Sequence, residues 1–166
     1  MSLPDSLFVD DKAWLSPGDA VAAILVAPGE NFLLQLRDHK PGIFYPAHWG
    51  CFGGALEKDD VSPYEGLRRE LHEELGLEFP PSSLTEFTAF TFDLSFAGIG
   101  VMKRTYFCGE VSLDQLSALT LGEGADFKLF DARVALAETR LVPYDGFALW
   151  LYHSRSRLRL SESTNG

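Results

Sequence analysis

The sequence has few cysteines, no long apolar run and no surplus of basic charge, and each shortage removes a class of protein. Only Cys51 and Cys108 occur, too few and too scattered for a disulfide framework or a zinc site. Both fall in predicted strands, where buried thiols are expected. No stretch approaches the roughly 18–20 apolar residues needed to span a bilayer, and the N-terminus carries acidic residues where a secretory leader needs basic ones. A cytoplasmic protein with no membrane partner is expected. The formal net charge of −10 argues against broad nucleic-acid binding, which needs a basic footprint. Internal repeats are missing, and so is the alternating acidic loop with a central glycine that an EF-hand calcium binder requires.

What is present is a chain of 166 residues with the composition of a soluble globular protein, long enough for one domain with a proper core. It is organised around Gly53 to Leu77, which reads GGALEKDDVSPYEGLRRELHEELGL. Ser62 suits an N-cap, Pro63 the first helical position, and Glu65 the closing residue of a capping box. Gly76 supplies a left-handed C-terminal residue. Between them Leu67, Leu71 and Leu75 form a core-facing stripe, while Glu70, Glu73 and Glu74 gather on the neighbouring face. Like charges at this spacing cost roughly 0.2–0.5 kcal/mol per pair, and Arg68 and Arg69 relieve only part of that. A bound hard cation reverses the sign, because Mg2+ takes carboxylate oxygens, keeps several waters and bridges to phosphates. The plainer alternative is a solvated acidic face.

The segment RELHEELGL, Arg69 to Leu77, preceded by Gly53, Gly54 and an acidic loop, closely resembles the signature of the Nudix hydrolases (MutT-like). Every specified position of that half is met. The front half departs from the pattern. The family's glutamate falls on Asp60, the spacing from there to Arg69 and Glu70 is too long by a single residue, placed near Val61, and Phe52 stands where a proline often precedes the glycines. Glu57 and Asp60 are both candidates to orient Arg69.

Along the chain, residues 1–18 read as an N-terminal arm, 19–153 as the Nudix domain and 154–166 as a frayed tail. Asp19–Ala27 and Asn31–Arg37 are expected strands joined by a turn at Pro28-Gly29-Glu30. Asp38–Trp49 is a loop rich in Pro, Gly and aromatics. Within this region Arg37, His39, Lys40 and His48 are either surface charges or phosphate contacts. Phe44, Tyr45 and Trp49 either stack on a base or cover the core. Leu84–Phe96 and Gly100–Val111 suggest a long hairpin, Ser112–Ala118 a loop or helical turn, Lys128–Phe130 a strand, Asp131–Ala137 a helix start and Tyr144–His153 a closing helix.

The resemblance implies an α/β fold of the Nudix type, a mixed β-sheet sandwiched between helices. It implies Glu70, Glu73, Glu74 and Glu123 as ligands of Mg2+, with Mn2+ as the alternative metal. Glu70 or Glu123 is then the general base, Glu73 belongs to the catalytic set, and Arg69 orients the loop carboxylates. Gly53, Gly54, Glu57, Asp60 and Gly76 shape the motif, and Arg37 and Trp49 are the substrate-binding candidates. The implied activity is hydrolysis of the pyrophosphate linkage of a nucleoside diphosphate joined to another moiety, with a nucleoside triphosphate or nucleotide sugar favoured. The proline and tyrosine that mark two other subgroups beyond the box are missing from AFTFDLSF, Ala89 to Phe96, and the coenzyme A subgroup's added motif is not evident. Homodimers are common among such relatives. The rival reading is a non-catalytic nucleotide-sensing or protein-binding Nudix domain, but such relatives usually lose helix glutamates that are retained here.

Overall fold

A computed structural model of the protein describes residues 18–40, 43–80, 82–95 and 100–158. The expectations for the arm before Gly18, for the hairpin tip at Phe96 to Gly98 and for the tail beyond Leu158 lie outside these residues. β1 (Ala20–Ala27) is apolar almost throughout, and its alternate side chains feed opposite faces of the sheet. Val21, Ala23 and Leu25 pack into one core with Leu67, Leu71 and Leu75. Ala22 and Ile24 pack into a second with Tyr106, Ala148 and Leu149. A strand buried on both faces needs helices on both sides of the sheet, and that dictates the sandwich.

The sheet is six-stranded and mixed. β2 (Asn31–Leu36) pairs antiparallel with β1, with the short β3 (Trp49–Gly50), and along its other edge with β6 (Asp126–Asp131). β4 (Thr85–Asp93) pairs antiparallel with β5 (Val101–Glu110), and β5 runs parallel to β1 in the register Ala22 to Tyr106. Helix α1 (Pro63–Leu75) covers the first core. Helices α3 (Ala132–Glu138) and α4 (Pro143–Ser154) cover the second, and α2 (Leu113–Ala118) follows β5.

The ends of α1 follow the local sequence signals in all but one respect. The Ser62 hydroxyl accepts the Glu65 N–H, Pro63 opens the helix, and Gly76 sits at φ 65°. Glu65 does not complete a capping box, because its side chain turns to Arg68, with Nη1 to Oε2 at 3.1 Å. The full capping box is instead at α2, between Ser112 and Gln115, so the segment that read as a loop or helical turn is a helix. The cysteines differ from expectation too. Cys51 lies just past β3 and is buried, while Cys108 in β5 is only partly buried and its thiol contacts the Thr85 carbonyl at 3.6 Å.

The motif segment is laced onto β1. Val21 donates its N–H to the Gly54 carbonyl and Ala23 to the Phe52 carbonyl, both at 2.9 Å. Gly53 lies at φ 127°, and a Cβ there would collide with the Val21 carbonyl, so only glycine lets the turn lie flat on the sheet. This lacing sets the glycine turn directly beneath the glutamate face of α1.

Candidate active site

Glu74 is the most deeply placed of the helix glutamates, with 5% of its surface exposed. One carboxylate oxygen accepts from Gln35 Nε2 at 2.9 Å and the other from the Gly53 N–H at 2.8 Å. Burial pushes its pKa up from 4.5 to about 7, against the pull of those hydrogen bonds, and the charges of Glu70 and Glu123 add to the rise. Glu70 is raised as well, first by burial, with the Arg69 hydrogen bond opposing. Its carboxylate lies over Gly54, where a side chain would collide with it.

Arg69 ties these groups to the acidic loop. Nη1 lies 2.9 Å from Glu70 Oε1, 3.2 Å from Glu73 Oε2 and 3.6 Å from Glu57 Oε1. Nη2 donates to Asp60 Oδ2 at 3.0 Å and to the Ala55 carbonyl at 3.2 Å. Both loop candidates reach Arg69, and Asp60 is the nearer. The hydrogen bond from Arg69 holds the Asp60 carboxyl below its ordinary pKa. The extra residue of the loop is absorbed at the surface, since Val61 is 88% exposed.

Glu70, Glu74 and Glu123 line one cleft of about 370 Å3, together with Gly53, Gly54, Arg37, Lys40 and Arg104. Glu123 arrives on the loop before β6, where the Gly122 N–H donates to the Glu74 carbonyl at 2.8 Å and Gln35 Nε2 lies 3.3 Å from the Glu123 carbonyl. Glu73 does not line the cleft; its side chain is about half exposed and turned to Arg69. A larger cavity of about 940 Å3 opens at the far end of β1, beside Glu30, Glu110 and Arg155, away from these carboxylates.

The loop residues divide. Arg37 lines the cleft and donates Nε to the Phe44 carbonyl at 2.7 Å. Lys40 lines it too, paired with Asp38 at 2.8 Å. Trp49, named as a substrate-binding candidate, does not line the cleft: its ring packs edge-on against Phe130 with centroids 4.8 Å apart, as part of the second core. His48 is buried between the Pro46 carbonyl and Arg140, so it does not face phosphates either.

Gln35 and Arg104 are cleft residues to which the sequence reading assigns no role. Gln35 interrupts the apolar run NFLLQL in a strand that faces buried surroundings, and that lone amide was a readable signal. Arg104 is buried in β5, with Nη2 3.3 Å from Asp145 Oδ1 on α4 and Nε 3.1 Å from the Tyr106 hydroxyl. No local pattern joins Arg104 to a residue so far along the chain.

Among the described residues, no group of three or more His, Cys, Asp or Glu side chains is gathered closely enough to hold a metal ion as the side chains stand. The donor chemistry still fits a hard cation, since the groups are carboxylates and two of them bear pKa values raised by burial, a cost that a cation removes. Arg69 holds an oxygen of Glu70 and one of Glu73 in this arrangement.

Within the sandwich, the glycine turn and the capped helix bring carboxylates to a cleft that arginine and lysine also line. The NUDIX domain family matches residues 16–147. The chain belongs to the Nudix family, and its class of activity is that of a Nudix pyrophosphohydrolase. No curated protein sequence matches the chain. Solved structures give the fold. The MutT protein from Methanosarcina mazei Go1 superposes with a TM-score of 0.63 at 21% identity, covering 86% of this chain and 94% of that one. The NUDIX domain of Shewanella oneidensis NrtR, solved with ADP ribose, gives 0.63 at 21%, covering 92% and 94%. The E. coli dihydroneopterin triphosphate pyrophosphohydrolase gives 0.63 at 18%, covering 83% and 96%. Among the described residues no helix is long and apolar enough to cross a membrane.

Proposed function

We propose that the protein hydrolyses the pyrophosphate linkage of a nucleoside diphosphate derivative, a nucleoside triphosphate or nucleotide sugar, to a nucleotide and a phosphorylated remainder, with Mg2+ as its metal. The observation that carries this reading is the meeting of Glu70, Glu74 and Glu123 in one cleft with Arg37, Lys40 and Arg104. In a protein of net charge −10, those cations supply the attraction that a polyphosphate needs. One structural neighbour, the NrtR NUDIX domain, was solved in complex with ADP ribose, a compound of the proposed class.

Glu70 and Glu74 would hold the metal, with Glu73 joining once Arg69 releases its carboxylate. Bound there, Mg2+ supplies charge neutralisation at the phosphoryl oxygens and makes a bound water more acidic. The chain's own residues do the rest. Arg37 and Lys40 orient the phosphate chain, which places the scissile bond in line for attack. Gln35 and Gly53 fix the Glu74 carboxylate, so that it needs no reorganisation. Glu123, on a loop clear of the Arg69 network, is the base that takes the proton from the attacking water.

The test is a panel of nucleoside triphosphates, nucleotide sugars, ADP-ribose and dinucleoside polyphosphates, each with Mg2+, with Mn2+ and with chelator, and with products identified by mass. Cleavage of one class that stops with chelator is expected. Silence across the panel by a folded protein rejects the reading.

A further inference from the structure

Arg104 is the most enclosed of the three cations that line the cleft, with 6% of its surface exposed. It also walls an adjoining pocket of about 480 Å3 that Phe44, Tyr45, Phe92 and Tyr144 line. Its guanidinium is held from behind. Nε donates to the Tyr106 hydroxyl at 3.1 Å, Nη2 lies 3.3 Å from Asp145 Oδ1, and the Tyr106 hydroxyl donates to that same oxygen at 2.7 Å, which closes a triangle. The Tyr144 ring centroid is 5.2 Å from the guanidinium carbon.

Asp145 lies on α4 behind this wall, at 1% exposure. Its other oxygen, Oδ2, accepts the Cys51 N–H at 2.9 Å. Gly50 makes room for it, since a Cβ there would stand 2.7 Å from Oδ2. Two residues past Cys51, the Gly53 N–H holds Glu74. One buried carboxylate therefore registers the cation on β5 against the turn that holds Glu74.

A buried cation needs a partner, so Asp145 has a plain structural reason to be present. Its charge alone works against the site, because a carboxylate beside a cation weakens that cation's pull on an anion. Direction is what it adds. A guanidinium presents its donors in a rigid planar fork, and an oxyanion meets them well only when the plane is set.

Resting on the function proposed above, we infer that Asp145 is a positioning residue of the cleft: it aims the Arg104 guanidinium at the diphosphate of the substrate, and affinity for the diphosphate depends on it.

The experiment is titration calorimetry of the whole protein in Mg2+ with methylenediphosphonate, whose P–C–P link resists hydrolysis, so that binding is read without turnover. Asp145→Asn keeps the shape of the side chain and removes its charge. Electrostatics alone gives tighter binding in that variant, and a purely structural role gives no change in the folded protein. Positioning gives weaker binding, by about tenfold or more, since partners that orient a contact group typically cost about 10–100-fold when changed. Arg104→Met removes the group that is aimed, so Asp145→Asn should add less than about twofold in that background. Gly50→Ala displaces the carboxylate with its charge intact; it should weaken binding as well, which covers the case in which Asp145→Asn fails to fold. Wild-type or tighter binding by a folded Asp145→Asn overturns the inference, as do equal losses in the two backgrounds, wild-type affinity in Gly50→Ala, or a wild type that does not bind the probe. A wild type that binds the probe but cleaves nothing rejects the hydrolase reading and leaves the assignment of Asp145 standing.

Discussion

Arg69 and Asp60 are joined by two parallel hydrogen bonds, Nε to Oδ1 at 3.2 Å and Nη2 to Oδ2 at 3.0 Å. The same Asp60 Oδ2 also accepts the Glu57 N–H at 2.8 Å. A shorter acid on a longer loop thus reaches the arginine that fans out over Glu70 and Glu73. Fork-to-fork pairing of this kind fixes orientation as well as charge.

Asp60→Asn should therefore lower turnover without unfolding the protein. Groups that orient ligating carboxylates typically cost about 10–100-fold in activity or metal affinity when changed. Steady-state kinetics over a Mg2+ titration checks this, and wild-type rates at every Mg2+ concentration would remove Asp60 from the positioning role.

Glu74 makes the metal-free protein's stability depend on pH with a definite sign. Its folded pKa is about 7 against an ordinary 4.5. Below the ordinary value both states carry the proton. As pH rises toward 7 the unfolded chain releases it first, so stability falls, by about 3 kcal/mol in total once the folded pKa is passed. Glu70 shifts in the same direction, whereas Asp60, with a lowered pKa, gives up its contribution only as pH falls below the carboxylate range. Chemical denaturation in chelator should show the decline between about pH 4.5 and 7, and Glu74→Gln should flatten it. An equal slope in the mutant would show that Glu74 does not carry the buried charge.

Asp145 is 1% exposed, accepts from the Cys51 N–H at 2.9 Å and from the Tyr106 hydroxyl at 2.7 Å, and forms an ion pair with Arg104 Nη2 at 3.3 Å. Asp145→Ala leaves the Arg104 charge buried without its partner, and a loss of about 3–5 kcal/mol is expected. Urea unfolding reads it directly; a loss within about 0.5 kcal/mol, the range of ordinary surface substitutions, would contradict the pairing.

Gly122 brings the Glu123 loop against α1 so closely that a Cβ would fall on the Glu73 carbonyl oxygen. Gly122→Ala should push the loop outward and lower kcat, while Glu123→Gln should slow the chemical step more than it weakens nucleotide binding. A pH–rate profile separates the two, because loss of the base removes the limb that reports its ionisation. An unchanged profile in Glu123→Gln assigns the base elsewhere.

The parts of this molecule legible in the sequence are those set by neighbours in the chain. Ser62, Pro63 and Gly76 mark the ends of α1 because capping is a local affair, and the leucine stripe marks its buried face. The mixed sheet between helices came through the resemblance, since nothing local says that β1 pairs in parallel with β5. Within the site, residue identity was readable but environment was not. That Glu74 is buried while Glu73 is half exposed depends on which turn of α1 meets Gln35 and Gly53. Arg104 and Asp145 meet only because α4 docks on β5, and Trp49, on the same aromatic stretch as Phe44 and Tyr45, was drawn into the core by Phe130 while they were left facing a pocket.

The central claim is that the carboxylate cleft cleaves a phosphoanhydride, and a single-turnover assay in 18O-labelled water, with wild type and Glu70→Gln compared in Mg2+ and in chelator, tests it most directly. The account predicts one labelled oxygen in a phosphate product from the wild type with Mg2+, none with chelator, and a rate at least about 10²-fold lower in a folded Glu70→Gln. Equal rates in the two proteins, or cleavage that persists in chelator, would contradict it.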